Sequence, residues 1–280
     1  MSSPLRPRQS MPSVTLVLPA YNEEARIGSA LNELFGYLRR DGPAREGARS
    51  ASELGRVDVI VVDDGSSDAT AQIVAARPEA QAEPGAMPQL RLVQRAHEGK
   101  GAAVKAGMLE ATGDLVCFAD ADLATPPDQL PLLTEALQAQ DIALGSRVQP
   151  DGSDRRASQP VYRRFLGRIF HRLAAAWVTG PVPDTQCGFK GFRRDVARDL
   201  FAQQRLSSIV FDAELLHLAR RRGYTIANIP VQWSDKRGSR MRVRPGLALR
   251  VLIDLARIPL VHRHVARRPA GAAATVKAAT

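Results

Sequence analysis

Cysteine is scarce in this chain: among 280 residues there are two, Cys117 inside an apolar run and Cys187 in a loop-like stretch. Two thiols so placed make neither a disulfide framework nor a metal-type spacing, which leaves buried, reduced side chains. Aromatic residues make up only 5%, and no basic-aromatic platform for stacking nucleic-acid bases is visible. No uninterrupted apolar run reaches the roughly 20 residues that cross a bilayer. The first residues, 1–11, are polar and proline-rich and lack the apolar core of a signal peptide. These absences lead us to expect a cytoplasmic protein, with peripheral contact at the inner face of a membrane still open. Two phosphate-binding signatures are missing too. There is no Gly-x-x-x-x-Gly-Lys-Ser/Thr loop, and no Gly-x-Gly-x-x-Gly follows the first strand. A bound nucleotide must then have its phosphates held by a cation and by basic side chains.

The hydrophobic fraction is 44%, enough for a substantial core and against global disorder. The net charge of +10 calls for anionic partners: nucleic acid, a phosphate substrate or an anionic lipid surface. Short apolar runs (Val14 to Leu18, Val57 to Val62, Leu90 to Val93, Leu115 to Ala119, Ile142 to Gly145) alternate with segments of helical spacing. The helical segments are Glu23 to Arg39 with Asn22 as a candidate cap, a stretch through Ala76, Gly101 to Ala111, and Pro127 to Gln138. Pro78 to Pro88 and Asp41 to Gly55 read as polar loops. Strands apolar throughout and separated by helices predict an α/β fold with a mostly parallel central sheet covered on both faces. Beyond Gln149 the spacing predicts helices at Tyr162 to Trp177, Phe211 to Arg222 and Leu247 to Val265, the last kinked by Pro259, and a strand at Ile226 to Gln232.

In an open parallel sheet, ligands bind at the carboxyl ends of the strands. Three such ends here are polar: Pro19-Ala20-Tyr21-Asn22-Glu23, Asp63-Asp64-Gly65-Ser66 and Asp120-Ala121-Asp122. Each alone fits a turn or a helix cap. Together they crowd carboxylates onto one rim, where they repel unless a cation or a donor satisfies them. Two carboxylates one residue apart on an extended segment suit Mg²⁺ or Mn²⁺, with phosphate oxygens completing the shell. The acidic rim argues against nucleic acid as a partner. The five histidines form no ligand spacing with acids and read as surface or packing residues.

In order along the chain, Pro-Ala-Tyr-Asn-Glu, Val-Val-Asp-Asp-Gly-Ser, Gly-Lys-Gly, Asp-Ala-Asp and Gly-Ser-Arg resemble the family 2 glycosyltransferases of GT-A fold. Asp184 to Lys190, Phe211 to Leu216, and Trp233 with Gly238-Ser239-Arg240 resemble the dolichyl-phosphate glucosyltransferase branch, with the mannose synthases as near relatives. The resemblance spans about residues 13 to 245 and implies a single GT-A (Rossmann-like) domain.

It also implies roles. Pro19, Tyr21 and Glu23 flank the base and ribose, and Val62 and Asp64 read the base. Asp120 and Asp122 hold the metal, with Ala121 against the nucleotide. Lys100, Arg147, and Lys236 or Arg240 contact phosphates or nucleotide, and Asp184 serves the sugar or acceptor. Position 124 is Ala where some relatives carry a polar residue, and position 240 is Arg where others have Lys. The implied reaction moves a hexose, glucose or mannose, from a UDP- or GDP-sugar to a polyprenyl phosphate with inversion. If the acceptor were a soluble hydroxyl compound instead, Asp184 is the candidate base. A sugar-nucleotide pyrophosphorylase shares the layered fold but opens with a Gly-rich signature absent here. Residues 1–12 and 269–280 read as disordered tails, and 246–268 as an amphipathic helix. In that helix Arg250, Asp254, Arg257, His264 and Arg268 share one face, with Leu252, Leu255, Ile258 and Val265 as an apolar flank. With the basic face Arg164, Arg168 and Arg172, it offers contact to an anionic membrane surface.

Overall fold

The β-branched runs pair edge to edge in one sheet, in a computed structural model that describes residues 11–39, 48–83, 88–155, 174–180, 182–234 and 245–266. The strands are Val14–Ala20 (β1), Val57–Asp63 (β2), Gln89–Gln94 (β3), Leu115–Ala119 (β4), Ile142–Ser146 (β5), Phe189–Arg193 (β6) and Ile226–Pro230 (β7). Their order is β3-β2-β1-β4-β6-β5-β7, parallel except for β6, which runs antiparallel to both β4 and β5. The chain winds outward from β1 to β3, then returns to place β4 on the other flank of β1. That reversal opens a crevice beyond the carboxyl ends of β1 and β4, the place where such sheets take ligands.

Helices cover both faces, as strands buried on each side require. Leu16 and Leu18 of β1 pack with Ile27, Leu31, Leu34 and Phe35 of helix α1 (Ile27–Leu38). Val17 points the other way, into a cluster with Val104 of α4 (Lys100–Glu110), Leu200 of α6 (Arg194–Gln203) and Phe211 of α7 (Phe211–Arg222). Shorter helices α2 (Thr70–Ala75), α3 (Pro78–Gln81) and α5 (Leu130–Ala136) complete the layers. The last helix, α8 (Pro245–Val261), lays Leu255 and Ile258 on Val178, Leu206 and Val210.

Several expectations are corrected. Asn22 does not cap α1. It adopts a left-handed φ of 53° and its Oδ1 accepts from the Ser67 backbone, 2.8 Å, so it ties two loops together while α1 starts only at Ile27. Pro78 to Gln81 is a short helix rather than loop, consistent with proline favouring a first helical turn. Pro127 to Gln129 forms a 3₁₀ turn ahead of α5. Helix α8 runs Pro245–Val261 rather than Leu247 to Val265, with Pro259 inside it. On α8, Asp254 faces the domain with Leu255, Ile258 and His262, all buried, and does not share the exposed face of Arg250 and Arg257. Most of the helix expected at Tyr162 to Trp177, with Arg164, Arg168 and Arg172, lies outside the described residues, as do Lys236 and Arg240.

Strand β6 and helix α6 are not among the elements expected from the sequence: α6 sets Val196, Ala197, Leu200 and Phe201 on one helical face, whereas β6 places a lysine in the middle of the sheet. Lys190 is 1% exposed, and its Nζ donates to Asp212 Oδ1 and to the Cys187 carbonyl, both at 2.6 Å, over the Phe118 ring. Paired in this way, the ammonium can be buried in a strand that otherwise reads as polar. Both cysteines are free and buried, and burial pushes each thiol up to about 12. Removing one half of a buried ion pair strands the other charge. Asp212→Ala should therefore lower the unfolding free energy by about 3–5 kcal/mol, read from urea denaturation; a loss no larger than that of an exposed Asp→Ala control would mean that the pair does not hold β6 in place.

Candidate active site

The crevice at the switch point is a cleft of about 480 Å³. Its walls come from all three polar strand ends and the start of α4, and include Pro19, Tyr21, Glu23, Asp64, Lys100, Asp120, Ala121 and Asp122. The structure thus gathers most of the residues singled out from the sequence. Val62 is not among them: it is completely buried one layer below, in the cluster beneath α4. Arg26 and His97 line the cleft and had not been singled out.

Asp64 is the anchor of one wall. Its carboxylate, 3% exposed, accepts from the backbone N–H of Glu98 at 3.0 Å and of Gly99 at 2.9 Å, and lies 2.8 Å from His97 Nδ1. It therefore fixes the turn entering α4. Gly99 takes φ 108°, and a Cβ there would stand 2.8 Å from the Ser207 carbonyl. The next bond, Gly101 N–H to that same carbonyl at 2.9 Å, sets α4 against the 204–208 segment. That segment is itself held by Glu214, which accepts from Arg205 and Leu206 backbone N–H groups and pairs with His262, just past the end of α8, at 2.6 Å. The His97 ring, steered by Asp64, stacks on Tyr21 with centroids 4.0 Å apart and planes 17° from parallel. Tyr21 is 43% exposed and lines the cleft, so the stack leaves aromatic surface open there. No spacing of acids could have announced His97; its signal lay only in following Arg95 and Ala96 off the end of β3.

The opposite wall is the Asp120-Ala121-Asp122 turn. The Asp120 N–H bonds to the Gly188 carbonyl, and a Cβ on Gly188 would fall 2.3 Å from the Asp120 carboxylate, so glycine is needed behind it. Leu123 turns with φ 49°, and the Ala124 N–H donates to Asp122 Oδ1 at 3.1 Å. Burial, and next the Asp120 charge, raise the Asp122 carboxyl above its ordinary value, with Arg26 and Lys100 opposing. Among the described residues each acid has one cation beside it. Lys100 Nζ sits 2.5 Å from Asp120 Oδ1. Arg26 grips Glu23 through Nε and Nη2, and its Nη1 lies 3.6 Å from Asp122 with no hydrogen bond of its own. Although burial opposes it, the Asp120, Asp212 and Asp122 carboxylates hold the Lys100 ammonium above its usual value.

Arg147 and Asp184 meet beside this turn but serve each other. Arg147 donates to Asp184 through Nε at 2.6 Å, Nη2 at 2.7 Å and its backbone N–H at 3.0 Å, and its guanidinium lies 5.7 Å from the centre of the Trp233 ring. Gln186 N–H also donates to Asp184. Among the described residues no group of three or more His, Cys, Asp and Glu gathers as a metal site. The Asp120/Asp122 pair is nonetheless a hard-oxygen donor set open to the cleft. It fits Mg²⁺ or Mn²⁺, provided that the ligand supplies further oxygens.

A glycosyl transferase family 2 match runs over residues 15–201. The chain belongs to that family. It is 38% identical to dolichyl-phosphate beta-glucosyltransferase ALG5C of Trichomonas vaginalis, over 89% of this chain and 71% of that protein. To the dolichyl-phosphate beta-glucosyltransferase of Drosophila melanogaster it is 35% identical, over 81% of this chain and 69% of that one. Against the Homo sapiens enzyme of the same name the identity is 30%, covering 84% and 74%. Among solved structures, a glucosyl-3-phosphoglycerate synthase of Mycobacterium tuberculosis, in complex with Mn²⁺, UDP-glucose and phosphoglyceric acid, superposes with a TM-score of 0.59. It is 21% identical and the match covers 89% of this chain and 81% of that one. The shared fold is GT-A, as the motif order implied.

If Asp64 builds this wall of the family 2 cleft, Asp64→Ala leaves the Glu98 and Gly99 amides without acceptors. Hydrogen exchange at those two amides should then speed up by at least about tenfold, since a bond to a charged group contributes roughly 1.5–3 kcal/mol. Unaltered protection would remove Asp64 from that role.

Proposed function

We propose that this glycosyltransferase moves a hexose, glucose as in the relatives' names, from a nucleoside-diphosphate sugar to a polyprenyl phosphate of the dolichyl type. The donor is a UDP- or GDP-sugar. Its base rests on the open surface of Tyr21 beside His97, and Pro19 and Glu23 line the way to the diphosphate. Lys100 faces the phosphates, joined by Lys236 or Arg240 of the segment after β7. Asp120 and Asp122 hold Mg²⁺ or Mn²⁺, which, when bound, neutralises the departing diphosphate.

The observation that carries the acceptor assignment is the state of Asp184. Its carboxylate is engaged by Arg147 through three bonds and by Gln186 through one, so it is poorly placed to take a proton. A hydroxyl acceptor needs a base. A lipid phosphate does not, because its second pKa is about 6 and its oxygen is already anionic near neutral pH. That oxygen attacks the anomeric carbon as the bond to the diphosphate breaks, the electron pair leaves with the nucleotide, and the centre inverts. Incubating the protein with UDP- and GDP-sugars, with and without polyprenyl phosphate, and scoring released nucleotide tests the assignment. Release that ignores polyprenyl phosphate but follows a soluble hydroxyl compound would replace it.

The same reading places the protein at a membrane surface. No helix among the described residues is long and apolar enough to cross a membrane. Helix α8 instead turns Leu252, Ile253 and Leu260 outward, the last 66% exposed, between the exposed Arg250, Arg257 and Arg263. Trp177, also 66% exposed, lies on the π-helical turn Ala175–Thr179 that packs on α8. An apolar stripe flanked by arginines suits the interface of an anionic leaflet, where each basic residue contributes about 1 kcal/mol.

Two outcomes are expected. Activity should vanish in chelator and return with Mn²⁺ or Mg²⁺, and Asp122→Ala should lose turnover while keeping its unfolding midpoint; full turnover in that variant would take the metal away from this site. The protein should also sediment with anionic liposomes at low salt and be released at high salt. The double variant Ile253→Glu, Leu260→Glu should bind at least about tenfold more weakly, given that burying each apolar side chain contributes about 1.5–3 kcal/mol; equal sedimentation of both proteins would clear α8 of the contact.

A further inference from the structure

Asp120 and Asp122 are met by cations of different kinds. Arg26 is fixed: two of its nitrogens are committed to Glu23, and only the third faces Asp122. Lys100 is anchored only at its root. Asp64 holds the backbone of Gly99 before it, and the Ser207 carbonyl holds Gly101 after it. Beyond that root runs a four-carbon stem, about a third of the side chain is exposed at 34%, and the ammonium meets Asp120. A lysine head on such a stem can change partners without any movement of backbone, which a guanidinium clamped by a second acid cannot do.

We infer that Lys100 is an exchangeable counter-ion. In the nucleotide-free protein it neutralises Asp120. When a divalent cation takes Asp120 and Asp122, Lys100 leaves the carboxylate and pairs with the diphosphate of the donor. The inference rests on the metal site proposed above. It makes metal and nucleotide binding cooperative, because a metal arriving alone must displace the ammonium and leave it unpaired, whereas a diphosphate gives the ammonium a new anion. Such a coupling is reciprocal and commonly amounts to about fivefold or more in affinity. A lysine that only braces the turn would behave differently, since its loss would weaken every ligand alike.

The test is calorimetric titration of Mn²⁺ into the metal-free full-length protein, with and without saturating UDP. For the wild type, UDP should raise Mn²⁺ affinity by at least about fivefold. Lys100→Met should bind Mn²⁺ more tightly than wild type when UDP is absent, and its gain from UDP should fall below the wild-type gain, the part that remains coming from the metal's own bonds to the diphosphate. Lys100→Arg, which keeps the charge, should recover part of the gain. Lys100→Gln gives the same reading as methionine should the latter not fold. Mn²⁺ binding by the uncharged variants that is no tighter than wild type without UDP, or a UDP gain that survives in full, would overturn the exchange. A wild-type protein that takes no Mn²⁺ with or without UDP would instead overturn the metal site itself.

Discussion

Carboxylates from the ends of β1, β2 and β4 can share one cleft because each is matched to a donor from a different stretch of chain. Asp64 takes two backbone N–H groups and His97, Glu23 takes Arg26, and Asp120 takes Lys100. Unmatched, their mutual repulsion and the cost of burying them would oppose the convergence that a parallel sheet imposes on its strand ends. The matching also shapes the cleft, since the turn into α4, the ring of His97 and the direction of Lys100 all follow from where Asp64 places its two oxygens.

Much of this was legible in the sequence, for a physical reason. Strands buried on both faces must be apolar throughout, so β1, β2 and β4 stand out, and the polar residues that end them mark the ligand side. What was not legible depends on partners far away in sequence. Strand β6 is not announced as a strand, since its central Lys190 can be buried only with Asp212, 22 residues on, to neutralise it. His97 looks idle until Tyr21 is found stacked on it. Arg147 and Asp184 each invited a role toward substrate, and only the structure reveals that they are bound to one another. On α8, Asp254 falls with the arginines on a helical wheel, yet it turns inward because Ser208 Oγ donates to it at 2.7 Å.

The antiparallel β6 has a role in the site as well as in the sheet. By running back between β4 and β5 it brings Gly188 behind Asp120, and its Lys190 ties the Cys187 carbonyl to Asp212 of α7. The first half of the chain supplies the nucleotide wall, and this returning strand brings the glycine that backs the acidic turn.

The segment 204–208 touches two things that look unrelated. On its inner side the Ser207 carbonyl and the Gln204 amide grip Gly101, next to Lys100. On its outer side Ser208 bonds to Asp254 of α8, and Glu214, which holds Arg205 and Leu206, also holds His262. Five residues thus form a shared footing for the outermost helix and for the start of α4. Trimming the chain ahead of α8 does more than shed an appendage: it takes His262 from the buried Glu214 and Asp254 from Ser208, and so removes the outer support of the footing on which the start of α4 rests.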